Sequence, residues 1–300
     1  MPETQDIAPA LYDKIRAIFN NKLENDKRIK KIAEKMVNGT ATHADTQEYA
    51  ILIGDHAAAA LMAVLVPESL PEGRLWFNIA ERTVRPVLEN NRELVNTAAD
   101  YVQDSLNKST GIGIKPVIPA GNTDRIDGIV DKLSNSELLD DVKWVLDEPI
   151  KNCTQSFADD FMKANFETQS RAGLRPRIVR TVAGGCCKWC RDLAGTYDYD
   201  NLPDDVYRRH ERCRCLVVFE ADRVKQNVHT KKWYDKEGTA LARSKLLGAE
   251  QTLTVTERAA LVEEKKRVEK VAKEKRISEY MAKYDVSHRR AANRTTRSGG

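Results

Sequence analysis

Residues 184–219 read GGCCKWCRDLAGTYDYDNLPDDVYRRHERCRCLVVF, and this stretch holds Cys186, Cys187, Cys190, Cys213 and Cys215, five of the six cysteines of the chain. Cys187-x2-Cys190 is followed after 19 residues by His210-x2-Cys213 and then Cys215. Tetrahedral zinc is held by two such short pairs, because a two-residue spacer lets both side chains of a pair turn toward one ion. The favoured ligands are Cys187, Cys190 and His210, with Cys213 or Cys215 as the fourth. On an extended strand Cys213 and Cys215 point to the same face, so either reaches the ion. Cys186 points away from its neighbour and reads as a spectator. The competing readings are reduced cysteines without a metal, or disulfides; adjacent Cys186 and Cys187 suit simple pairing poorly.

Working outward, the residues around this stretch alternate as strands. Arg177 to Val182 has period-two patterning, and CLVVF at 215–219 reads as a second strand. Gly184-Gly185 frees the backbone for the first pair of ligands. Residues 201–209 read as a turn or short helix, and 226–233 as a third extended piece. These strands are too few for an independent sheet, so a bound metal is expected to supply stabilisation.

The preceding half reads as helices. Leu11, Ile15, Ile18, Phe19, Leu23, Ile29, Ile32 and Met36 recur at three- and four-residue steps, predicting a helix over 8–38 closed by Gly39. Thr42 to Asp45 offers N-cap chemistry for a helix over 45–66, whose AAAALMAVLV end is apolar all round and predicts the centre of the core. His56 beside it reads as a core or boundary histidine. A third helix is predicted over 73–107, kinked or divided at Pro86, which lacks an N–H. Residues 108–124 read as a long loop, without the Gly-Lys-Ser/Thr of a phosphate loop. Further helices are predicted over 124–134, over 136–147 with Ser136 as N-cap, and from Pro149 to about 170. Cys153 lies on the apolar stripe of the last and reads as core.

Beyond the cysteines, Thr254-x-x-Glu257 is a capping-box signature opening a Glu- and Lys-rich helix to about Tyr284. Its sparse apolar stripe fits either a solvated helix docked on one side or a partner-facing one. Of the net charge of +4, the last fourteen residues alone supply four arginines, Arg289, Arg290, Arg294 and Arg297, and no acid. The tail is therefore expected to be disordered and is the candidate nucleic-acid contact, while the balanced remainder argues against a general polyanion-binding surface. Hydrophobic residues make up 41% and charged residues 31%, enough for a globular core with well-solvated helices. The acidic N-terminus does not read as a signal peptide, and the longest apolar run, Ala57 to Val66, is too short to span a bilayer.

The fold class expected is α+β: a helical domain over 1–172, a zinc-knuckle module over 173–235, a charged helical extension over 236–286 and a basic tail over 287–300. Several zinc chemistries fail on motif. A deaminase needs His-x-Glu and Pro-Cys-x2-Cys, whereas Glu211 follows His210 directly and no proline precedes Cys187. The zincin His-Glu-x2-His is absent. Four soft ligands make a closed, structural site. The carboxylates Asp192, Asp198, Asp200, Asp204 and Asp205 between the pairs read as a solvated turn. Arg208, Arg209, Arg212 and Arg214 suit phosphate, those aspartates, or compensation of thiolate charge.

At CCKWCRDLAGTYDY, VYRRHERCRCLVVF and KQNVHTKKW the chain resembles the minor head proteins of tailed bacteriophages, the Mu F-like head-morphogenesis family. The signature maps onto Cys187/Cys190, Leu193-Ala194-Gly195 and His210/Cys213/Cys215 over roughly 175–235. Where that family often has proline beside the histidine, this chain has Arg209 and Glu211. The resemblance implies a non-catalytic minor capsid protein in the virion head, made in the host bacterial cytoplasm. It would act near the portal or inside the head. The implied partners are portal and major capsid proteins and, in some settings, packaged DNA, with no membrane and no small-molecule substrate. The alternative carried forward is a zinc-knuckle nucleic-acid-binding protein, with a zinc-dependent hydrolase or nuclease behind it.

Overall fold

The computed structural model describes residues 6–121 and 123–220. The extended piece at 226–233, the charged helix from Thr254 and the basic tail with Arg289, Arg290, Arg294 and Arg297 lie outside the described residues. Within them the chain is mainly helical, with one small antiparallel sheet.

The first helical run is two helices, α1 (Ala8–Asn25) and α2 (Lys27–Val37). Periodicity alone could not place the break, which lies at Asp26, in extended backbone with its carboxylate accepting from the Arg28 amide at 2.8 Å. An aspartate that caps a helix start satisfies amides that would otherwise be orphaned. The same carboxylate pairs with His56 Nε2 at 2.9 Å, so His56 is a boundary histidine with a partner. Gly39, at φ +66°, ends α2 as expected.

Helix α3 (His43–Val64) starts in a capping box. Thr42 Oγ1 accepts from the Asp45 amide, and the Asp45 carboxylate accepts from the Thr42 amide at 2.8 Å. Leu52, Ile53, Ala57, Ala58, Ala60 and Leu61 are all buried, and α3 packs against α1, α4 (Phe77–Thr110) and α7 (Glu148–Arg171) at the middle of the core. At Gly54 a Cβ would meet the Lys151 Cα at 3.1 Å, tight enough that α3 and α7 would have to shift by a few tenths of an ångström to admit one.

At two places the structure decides what the sequence left open or suggested wrongly. Helix α4 is not divided at Pro86 but runs through it for 34 residues. Thr83, Val84, Val87 and Leu88 on either side are buried, and this packing outweighs the missing N–H. After α5 (Asp124–Ser134) the predicted helix 136–147 shrinks to one turn, α6 (Leu139–Val142), followed by a 3-10 turn at Lys143–Leu146. Ser136 does not cap it; its hydroxyl donates to the Leu138 carbonyl at 3.0 Å. The intervening loop after α4 is pinned by Asn165 of α7, which accepts from the Val117 amide and donates to the Val117 carbonyl, each at 2.9 Å.

The sheet has the order β2-β1-β3 and is antiparallel throughout: β1 is Arg177–Thr181, β2 Gly195–Tyr197 and β3 Leu216–Glu220. Strand β2 had no sequence signal, because GTY is too short to show an alternation. Ile178 and Arg180 of β1 and Val217 and Phe219 of β3 face inward. Ile178, Val217 and Phe219 join Ala99, Phe161, Met162, Phe166 and Val206 in one apolar cluster. The sheet thus buries its inner face against α4 and α7, so the segments on either side of the 172/173 boundary share a core. Among the described residues no helix is long and apolar enough to cross a membrane.

Candidate metal centre

The first pair of candidate ligands is built by a turn and a single helical turn. Gly185, at φ +74°, reverses the chain in a left-handed conformation that other residues adopt reluctantly. Cys187 then occupies the N-cap of α8 (Lys188–Asp192), and its sulfur accepts from the Cys190 amide at 3.4 Å. That bond orients the sulfur of Cys187 toward that of Cys190, as a two-residue spacer requires. Cys190 itself is fully buried, whereas Cys187 is exposed.

The second pair sits in the turn before β3. The Cys213 amide donates to the His210 carbonyl at 3.1 Å, and Arg212 takes φ +58° to make the turn. The two nitrogens of the His210 ring have different surroundings. Nδ1 lies 2.6 Å from the Glu211 carbonyl, which only accepts, so Nδ1 carries the proton. Nε2 faces Cys190 Sγ at 2.9 Å and Cys187 Sγ at 3.3 Å, and in the neutral ring its lone pair points at them. A metal-binding histidine is held this way, its outer N–H given to a carbonyl and its inner nitrogen free.

These donors form two groups that share Cys190. Cys187, Cys190 and His210 lie within 4.8 Å of one another, as do Cys190, Cys213 and Cys215. Cys190 and Cys213 are 3.9 Å apart, close to the edge of about 3.8 Å expected for two sulfurs on a tetrahedron with metal–sulfur bonds of about 2.3 Å. The arrangement is placed to hold a metal ion, and both Cys213 and Cys215 are within reach of the shared cysteine. Cys186 belongs to neither group.

Two buried arginines surround the sulfurs. Arg180, 2% exposed, donates to the carbonyls of Val206 and of Arg208, the latter at 3.0 Å. Its Nη2 faces Cys190 Sγ at 3.5 Å and Cys213 Sγ at 4.0 Å, and its guanidinium lies 5.3 Å from the Trp189 ring centre. Burial pushes the Cys190 thiol up to about 12, opposed by Arg180 and reinforced by the sulfurs of Cys213 and Cys215. Burial raises Cys213 too, but the Cys215 amide and the charge of Arg209 outweigh it and bring its pKa below the usual thiol value. Cys153, on α7, is buried away from these groups and pushed up to about 12 by burial, which fits core packing.

The four arginines singled out in sequence have different fates. Arg209 is buried, with its fork on Asp159 at 2.5 and 2.8 Å. Arg214 pairs with Asp55 at 3.1 Å. Among the described residues Arg208 reaches only Asp205, and Arg212 is largely exposed. Asp192, Asp198, Asp200 and Asp204 are exposed and, among the described residues, no carboxylate joins either donor group. Arg180, Asp159 and Gln47 went unnoticed in the sequence. Arg180 was legible in principle, since the period-two pattern that buries Ile178 buries Arg180 as well. Asp159 and Gln47 are far away in sequence, and nothing local distinguishes them.

Comparison of the chain with protein families, curated proteins and solved structures finds no match.

Proposed function

We propose that this chain is a structural protein built around one zinc ion held by Cys187, Cys190, His210 and either Cys213 or Cys215. The observation that carries the reading is the approach of His210 Nε2 to the sulfurs of Cys190 and Cys187, at 2.9 and 3.3 Å, although 19 residues separate His210 from Cys190. The donor set is soft and matches zinc. Three thiolates around a divalent ion leave one negative charge, and Arg180 stands beside the sulfurs to balance it. A full complement of protein ligands leaves no position for water, so the ion's role is to tie two segments together.

On its resemblance to the Mu F-like head-morphogenesis proteins, we assign it the role of a minor capsid protein of a tailed bacteriophage. It would act near the portal or inside the head, with portal and major capsid proteins as partners. Support comes from the Cys-x2-Cys and His-x2-Cys-x-Cys arms gathering at one place beside a helical body. The test is purification of the tagged protein from cells producing phage. Co-purification of portal and major capsid proteins is expected, and recovery of the protein free of both, with none in assembled heads, would refute the role.

A second reading, a zinc-knuckle nucleic-acid-binding protein, draws on Arg208 and Arg212, whose side chains are 72% and 81% exposed beside the site. It also draws on Arg289, Arg290, Arg294 and Arg297 of the tail. It predicts DNA binding that weakens steeply with salt, about one logarithmic unit of slope per phosphate contact. A hydrolase or nuclease would need an open coordination position and a carboxylate at the ion, and the arrangement favours neither.

A further inference from the structure

Helix α7 carries four polar side chains, Glu148, Asn152, Gln155 and Asp159, at steps of four, three and four, which places them on one face. All four reach the segment that bears the second pair of ligands. Glu148 Oε2 accepts from the Arg212 amide at 3.0 Å. Asn152 donates to the His210 carbonyl at 3.2 Å. Gln155 accepts from Arg209 at 2.9 Å, and Asp159 takes the Arg209 fork. Arg209 also donates to the Cys215 carbonyl at 2.9 Å, closing 209–215 on itself, and to Gln47 of α3 at 3.0 Å. Each of its five N–H bonds therefore has an acceptor.

We infer that this stripe of α7 is a template for the metal site, with Arg209 and Asp159 as positioning residues that hold His210, Cys213 and Cys215 in place for the ion. The inference rests on the metal-binding reading above. A loop ordered before the ion arrives spares the ion the entropy of ordering it, and this raises affinity. Stability alone does not explain the stripe, because a buried ion pair is often no more stabilising than apolar residues of the same size. What apolar residues would lose is the hydrogen-bonded placement of the backbone on both sides of His210.

The test uses the full chain. In the double variant Arg209→Met/Asp159→Leu the charged pair is replaced by side chains of similar volume. Zinc affinity is read by competition with a chromophoric chelator, ligand geometry by the visible spectrum of cobalt(II) substituted for zinc, and the fold by circular dichroism. The expected result is retained helix, a zinc dissociation constant raised about tenfold or more, and an altered cobalt spectrum. Retained helix with wild-type affinity and spectrum would overturn the inference. Should the double variant not fold, Asn152→Ala decides the matter, since it removes only the bond to the His210 carbonyl. A several-fold loss of affinity at unchanged melting temperature supports the template, and unchanged affinity refutes it. A wild-type chain that takes up neither zinc nor cobalt refutes the metal site itself and the template with it. A wild-type chain that binds, beside folded variants that bind as well, refutes the template alone.

Discussion

Replacing Asp159 by leucine strands the charge of Arg209. The two side chains are 2% and 5% exposed, so water cannot take over the lost contacts. Of the five acceptors around the guanidinium, the two carboxylate oxygens disappear, and Gln47 loses the 2.9 Å bond it donates to Asp159. Breaking one side of a buried ion pair costs about 3–5 kcal/mol. Folding of a domain this size rests on about 5–15 kcal/mol, so Asp159→Leu should remove a large share of it. Arg209→Met alone should cost a similar amount by orphaning Asp159. The double variant should cost less than either single one, because no charge is left unpaired, so the changes are strongly non-additive. Urea unfolding of all four forms, followed by circular dichroism under saturating zinc, gives the cycle. The reasoning fails if Asp159→Leu costs less than about 1 kcal/mol, or if the two single changes add.

His43 is buried, and burial lowers its pKa to about 4, opposed only in part by the neighbouring Gln103 side chain. Neutral in the fold and protonated more readily when unfolded, it contributes stability above pH 6.5 that is lost as pH falls toward 4, about 3 kcal/mol in all. Wild type should therefore lose stability over that window faster than His43→Leu, and parallel curves would contradict this. Cys187→Ser should abolish or strongly weaken metal uptake while Cys186→Ser leaves it intact, measured as bound zinc after dialysis; equal losses would mean the donors are misassigned. Thr42→Ala removes the capping box of α3 and should cost about 1 kcal/mol in urea unfolding, with metal content unchanged.

The candidate donors were readable because chemistry fixes both their type and their spacing: Cys187, Cys190, His210, Cys213 and Cys215 stand out from a chain with six cysteines and five histidines, and the fold gathers them into two groups that could hold a metal. The helices were readable where an apolar stripe repeats, as in α1, α2 and α7. Their ends were readable only where a cap advertised itself, as Thr42 did and Asp26 did not. What sequence concealed is tertiary. Pro86 suggests a kink or a break, and the choice against a break is made by the buried residues around it, which hold one helix. The stripe of α7 looks like an ordinary solvated face until the turn carrying His210 is laid along it. Arg209 read as one of four interchangeable arginines, and its burial depends on Gln47 and Asp159, which lie 162 and 50 residues away.

The claim on which the rest depends is that one metal ion joins the two arms. Elemental analysis of the full chain, purified without added metal or chelator, tests it most directly. The account predicts about one zinc per chain, released with unfolding of 184–219 when the cysteines are modified. Protein free of metal, with residues 184–219 still folded and protected from proteolysis, would contradict it.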